Sequence, residues 1–209
     1  MANTQIFDGK PVIEFDNESD RRNFIKWAGI VGVGSTLVAG GLGRQWASAQ
    51  EGSDIDILNY ALTLEYLEAD FYTRGLDANI LSGRDQALVV PIKAHEQAHV
   101  STLSQTITDL GGKPVKKPGF KYPGPTFKSK DDFLSTASVF EELGVTAYHG
   151  QVTKIKNPDL LAAAASIAGV ESRHAAILAD LTGKNPFPGP VEKTATMATV
   201  LEAAKPFLK

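Results

Sequence analysis

The sequence contains no cysteine. That excludes disulfides, thiolate metal sites, iron–sulfur clusters and a lipidated N-terminus, so any metal must rest on histidine and carboxylate. Histidine is itself scarce, with only four in 209 residues: His95, His99, His149 and His174. The formal net charge is only −3, and nothing in it favours nucleic acid or anionic lipid as a partner. Nor is there a long unbroken apolar run. The nearest, Trp27 to Leu42, is interrupted by Gly29, Gly32, Gly34, Gly40 and Gly41. Each glycine buries little surface and weakens a helix, which makes the run a poor membrane anchor. Little of the sequence reads as strand.

The interrupted run follows Asp20-Arg21-Arg22-Asn23-Phe24-Ile25-Lys26 and leads to Ala47-Ser48-Ala49, the small-residue pattern cut by signal peptidases. This stretch resembles a twin-arginine (Tat) signal peptide, with Arg21, Arg22, Phe24 and Lys26 at the matching positions and Asp20 where Ser or Thr is usual. Residues 1–49 are therefore expected to be a leader. The resemblance implies export by the Tat pathway to the periplasm or the cell exterior, with no membrane span after cleavage. The leader carries five acidic and five basic residues, so residues 50–209 retain the whole net charge. They form one domain, long enough for a substantial core.

Within that domain four segments carry helical periodicity with start and stop signals. They run from about Asp54 to Gly75, Arg84 to Leu110, Asp131 to Lys156 and Asp159 to Thr182. Ser53 with Asp56 makes a capping box for the first, and Ser82 opens the second, where Pro91 either kinks the helix or marks its start. Asn157-Pro158 separates the last two, and a short tail helix is expected near Thr194 to Ala204. Short loops join helices one and two, and three and four, so each pair should form an antiparallel hairpin. About twenty residues, Gly111 to Lys130 with Pro114, Pro118, Pro123 and Pro125, lie between the hairpins. A helix of about 25 residues is about 37 Å long, and an extended loop of that size spans about 60 Å. The loop can cross the full length of an all-α four-helix bundle, the single long crossover of ferritin-like bundles.

The chemistry lies in where carboxylates and histidines fall. Glu96-x-x-His99 and Glu171-x-x-His174 sit near the middle of the second and fourth helices. At i,i+3 both side chains project from one helix face, so a bridging carboxylate and a terminal imidazole can reach one ion. Glu65 and Glu68 occupy the middle of the first helix, Glu141 and Glu142 that of the third. Glu96 shares a stripe with Val89, Ile92, Val100, Leu103 and Ile107, and Glu171 one with Ala164, Ile167, Ala168, Ala175 and Leu178. Charges on such stripes are costly to bury unless paired or metal-bound. Glu141, with Leu134, Ala137, Gly144, Val145 and Tyr148, is a better ligand than Glu142, which keeps polar company. Glu65 and Glu68 both lie among apolar neighbours, and periodicity does not separate them.

The order Glu, Glu-x-x-His, Glu, Glu-x-x-His resembles the ferritin-like di-iron proteins, rubrerythrin and ferritin among them. The segment Leu64-Glu65-Tyr66-Leu67-Glu68-Ala69-Asp70-Phe71-Tyr72 is similar to their first ligand helix, with a glutamate seven residues before a tyrosine, and this favours Glu65 over Glu68. Separations of 31, 45 and 30 residues between Glu65, Glu96, Glu141 and Glu171 also fit. More narrowly, the chain resembles exported ferritin-like proteins that include desiccation-related proteins. The resemblance implies two Fe ions, or Mn, bridged by Glu96 and Glu171, with His99 and His174 on one ion each and Glu65 and Glu141 as terminal ligands. It implies redox chemistry on Fe(II), O₂ or H₂O₂, of ferroxidase, peroxidase or catalase type, in stress protection. Tyr72 and Tyr148, each seven residues after a ligand, are expected either as catalytic or hydrogen-bonding partners of the site or as ordinary core tyrosines.

Other readings compete. A non-catalytic stress or desiccation-related protein, with structural metal or none, uses the same bundle, and iron storage would need a homo-oligomeric shell. His95-Glu96-Gln97-Ala98-His99 also spells the zinc-protease motif, in which His95 and His99 bind zinc. That reading leaves Glu171-x-x-His174 without a role. On the di-metal reading His95 points elsewhere on its helix, His149 lies at the surface, and Lys116-Lys117 belongs to a solvated loop.

Overall fold

The computed structural model describes residues 52–209. The leader expected over residues 1–49 lies outside them. The described residues form α1 (Asp54–Asp77), α2 (Gly83–Asp109), α3 (Lys130–Gln151), α4 (Pro158–Leu181) and the short α5 (Met197–Ala204). The described residues are all-α apart from one isolated antiparallel bridge, Phe120 with Leu208. None of the described helices is long and apolar enough to cross a membrane.

Local sequence explains the helix ends. Ser53 accepts a hydrogen bond from the Asp56 amide while the Asp56 side chain accepts one from the Ser53 amide, closing the expected capping box. Ser129 caps α3 through the Asp132 amide, and Asn157 caps α4 through the amides of Asp159 and Leu160, with Pro158 preset for the first turn. Ser82 differs: it occupies the N-cap of α2 without a side-chain cap bond. α2 continues through Pro91 from Gly83, so the proline marks neither its start nor its end. The third helix is shorter than its periodicity suggests. It stops at Gln151, and a 3₁₀ turn, Val152–Lys154, leads to the cap of α4.

α1 packs chiefly on α2 and α3 on α4, while α1 also meets α3 and α2 meets α4. These contacts close a ring of four helices. The crossover runs along α1 from one end to the other. Asn59 holds its start through Lys113 O and Val115 N. Further along, Lys117 pairs with Asp70 at 2.9 Å and Tyr122 donates to the carboxylate of Asp70 at 3.1 Å. Lys117 is therefore a surface ion-pair partner rather than a merely solvated loop residue. The chain end pairs with this crossover, Lys121 N donating to Phe207 O and Lys209 N to Gly119 O.

Two apolar clusters divide the interior. One is aliphatic, built on Leu58, Leu62, Leu103, Ile107, Leu160 and Ile167. The other is aromatic, with the rings of Phe71 and Phe133 stacked at 4.8 Å and Phe140 edge-on to Phe71 at 4.9 Å. Burying each such side chain contributes about 1.5–3 kcal/mol. α1 and α3 approach so closely here that a Cβ at Gly75 would stand 2.0 Å from Phe133 Cε2, which only glycine accommodates. Between the clusters lies a layer of buried carboxylates and imidazoles.

Candidate metal centre

Glu65, Glu96, Glu141 and Glu171 are completely buried, and His99 and His174 are 6 % and 4 % exposed. Each glutamate comes from a different helix of the bundle. Burying four carboxylates at one level is unfavourable unless cations or protons compensate them. No lysine or arginine of the described residues pairs with them.

The donor atoms form two groups. In the first, His99 Nδ1 lies 3.2 Å from Glu65 Oε2, 3.3 Å from Glu96 Oε2 and 3.2 Å from Glu171 Oε1. In the second, His174 Nδ1 lies 3.0 Å from Glu96 Oε1, 3.2 Å from Glu141 Oε2 and 3.9 Å from Glu171 Oε1. Each group can hold a metal ion, and Glu96 and Glu171 belong to both. Glu96 offers one oxygen to each half, the geometry of a bridging carboxylate.

These distances discriminate between a metal site and a hydrogen-bond network. One Nδ1–H cannot donate well to three oxygens at once. Glu96 Oε1, Glu141 Oε2, both oxygens of Glu171 and His174 Nδ1 are buried without a hydrogen-bond partner, although several stand close to one another. Ligands about 2.1 Å from one ion stand about 3.0 Å apart at right angles and about 3.4 Å apart at tetrahedral angles. The spacings match this edge length except that from His174 Nδ1 to Glu171 Oε1, which is longer at 3.9 Å, and hard oxygen with imidazole suits Fe, Mn or Zn. The residues fit a pair of divalent ions.

The protonation pattern of the metal-free cluster has the same origin. Burial pushes the Glu65 carboxyl up to about 7 although the adjacent His99 opposes it. Burial, followed by repulsion from Glu96, raises Glu171 further. Burial would also raise Glu96, but the imidazoles of His174 and His99 outweigh it and hold its carboxyl below the usual range. Burial tends to lower both histidines, yet Glu65 and its neighbours hold His99 high, and Glu141 and Glu96 do so for His174. Without metal, the layer is neutralised by protons.

The surrounding residues complete the picture. Tyr72 donates its hydroxyl hydrogen to Glu141 Oε1, and Tyr148 donates to Glu65 Oε1. Each tyrosine thus holds a carboxylate contributed by another helix. His95 Nδ1 lies 2.8 Å from His174 Nε2, with the rings stacked at 5.1 Å. His95 therefore faces α4 and belongs to neither ion-holding group, which is not the arrangement of a zinc-protease motif. A metal-binding histidine characteristically donates its second ring N–H to a partner that sets its tautomer, and His95 occupies that place for His174. Glu142 is exposed, as the polar stripe predicts. His149 is a correction: it is half-buried, and its Nε2 is shielded without a hydrogen-bond partner.

Glu68 is the residue periodicity left unresolved. It is buried, 4 % exposed, but stands outside both ion-holding groups, which take Glu65 from α1. No curated protein matches the chain. The sequence pattern of the ferritin-like domain family, however, matches residues 53–184, a stretch that begins at the cap of α1, ends just beyond α4 and contains every residue of the cluster. The chain belongs to the ferritin-like domain family.

Proposed function

We propose that the domain binds two Fe ions, or Mn, in an exported protein and performs redox chemistry on Fe(II), O₂ or H₂O₂ in stress protection. The observation that carries this reading is the pair of histidines, each flanked by carboxylate oxygens at the 3.0–3.3 Å spacing of ligands that share one ion, with Glu96 Oε1, Glu141 Oε2 and Glu171 Oε1 lacking hydrogen-bond partners. Glu96 and Glu171 are the shared ligands, Glu65 and Glu141 the terminal ones, and His99 and His174 serve one half each. When bound, two such ions supply one electron apiece, which suits two-electron reduction of a small oxidant.

The chain's own residues prepare this chemistry. Four carboxylates balance the charge of two divalent ions, so the filled layer is neutral within its apolar surroundings. Tyr72 and Tyr148 orient Glu141 and Glu65 through their hydroxyls. The two apolar clusters on either side exclude bulk water. A cavity of about 30 Å³ lies against Tyr148, walled by Leu58, Leu64, Leu103, Ala164 and Ile167. It has room for a water-sized molecule, and none of the six proposed ligands lines it. The paired-arginine leader supports export, since that route carries proteins already folded around their metals.

Metal analysis of residues 50–209 purified with Fe(II) or Mn(II), followed by optical spectra on adding O₂ or H₂O₂, tests the reading. Two metals per chain with rapid oxidation are expected. A protein that stays metal-free and inert under these conditions would overturn it and leave a non-catalytic binding role.

A further inference from the structure

α1 places a second glutamate one turn beyond Glu65. Glu68 is buried, and among the described residues it makes no ion pair with lysine or arginine. An acid so placed is expensive unless a proton or a metal ion neutralises it. Its surroundings identify which one. A Cβ at Gly144 on α3 would stand 3.1 Å from Glu68 Oε1 and 2.9 Å from Glu171 Oε2. The two oxygens therefore converge on a point of α3 where the chain carries no side chain. Glu171 Oε1 faces His99, whereas Oε2 is buried without a partner. Glu68 Oε1 and Glu171 Oε2 thus make a further pair of hard donors at the edge of the cluster.

Charge shows what such a pair is for. Glu65, Glu96, Glu141 and Glu171 carry four negative charges, which neutralise two divalent ions. Two trivalent ions in the same ligand set leave two positive charges uncompensated in an apolar interior, where net charge is costly. A fifth carboxylate removes one of them. We propose that Glu68 is a further metal ligand, reaching the centre beside Glu171 through the gap at Gly144 and selecting for trivalent over divalent ions. Any aliphatic side chain at position 144 would fill that gap, so the two residues act together. The inference rests on the metal-binding reading above, but it concerns which charge state the site prefers.

The redox-inert probes Zn(II) and Ga(III) test this without turnover, Ga(III) being supplied from its nitrilotriacetate complex and affinity read by competition. Wild type should take up two ions of either metal. Glu68→Gln should keep Zn(II) affinity near wild type and lose Ga(III) affinity by about tenfold or more. Glu68→Ala, which removes the carboxylate without adding an amide, should show the same selective loss, which keeps the test decisive should Glu68→Gln fail to fold by circular dichroism. Unchanged Ga(III) affinity in the folded variants would overturn the proposal while leaving the metal centre standing. Equal loss of both metals would also overturn it, because Glu68 would then be a general support of the fold or site. Failure of wild type to bind either ion would instead refute the metal-binding reading itself.

Discussion

Replacing His95 with alanine is the perturbation whose consequence is most closely determined by the geometry. His174 presents Nδ1 to Glu96 and Glu141 and Nε2 to His95 at 2.8 Å. For Nδ1 to offer a lone pair to a metal, Nε2 must carry the proton, and His95 Nδ1 must accept it. Burial, then the charges of His174 and His99, holds His95 down at about 4, so it remains a neutral acceptor at physiological pH. Alanine leaves the Nε2–H of a buried imidazole, 4 % exposed, without its acceptor. That costs about 1–3 kcal/mol, which agrees with the 10–100-fold losses of metal affinity that follow removal of such a partner. Chelator competition at pH 7 with Mn(II) or Zn(II) measures it. A loss of about 10–100-fold is expected for His95→Ala, with substantial recovery in His95→Gln, whose amide oxygen can accept. Wild-type affinity in His95→Ala would refute the tautomer argument. Complete loss of metal would refute it in the other direction, since His95 would then be a ligand. Metal affinity should also fall as pH drops, because protons compete with metal for Glu65, His99 and His174.

Other consequences are measurable. Glu96→Ala and Glu171→Ala each remove a ligand shared by both groups; both should abolish binding of the metal pair by elemental analysis, and retention of two metals in both would sink the assignment. The metal-free protein should lose stability as pH rises. Glu65 binds its proton up to about 7 when folded but only to about 4.5 when unfolded, so folding grows harder across that window by about 3 kcal/mol. His99 and His174, held above their ordinary range, add stability that is full below about 6.5 and is lost as pH climbs through their folded values. Urea midpoints with a chelator at pH 5 and pH 8 check the sign, and saturating metal should remove the difference because ions replace the protons. Gly75→Ala should destabilise by about 1–3 kcal/mol through overpacking against Phe133, read from the thermal midpoint; an unchanged midpoint would mean that the two helices can move apart freely.

Much of this was legible because the energetics of burial write themselves into the pattern. A carboxylate on an apolar helical stripe is tolerated only with compensation, so Glu96, Glu141 and Glu171 stood out from Glu142, which is exposed. Capping chemistry is local, and Ser53 and Asn157 cap as their sequences suggest, whereas Ser82 stands at its cap position without a side-chain bond. Legibility failed where a neighbouring helix decides. Periodicity left Glu65 and Glu68 open, because both turn inward and only distance to His99 separates them. His149 was read as a surface residue but is half-buried, since side-chain cover comes from outside its own helix. The end of α3 fell several residues early because the chain must turn into the α4 cap.

From the sequence alone came four helices, their pairing by short loops, the long crossover and five of the six residues able to hold two ions, with Glu65 and Glu68 left open. All of these depend on spacing along one helix or on the length of one loop, which a linear pattern records. Tertiary structure alone decided that His95 supports His174, that Tyr72 and Tyr148 hold carboxylates on other helices, and that Gly144 opens a gap for Glu68. Those facts depend on the rotation and separation of helices brought together by core packing, and no periodicity within a single helix encodes them.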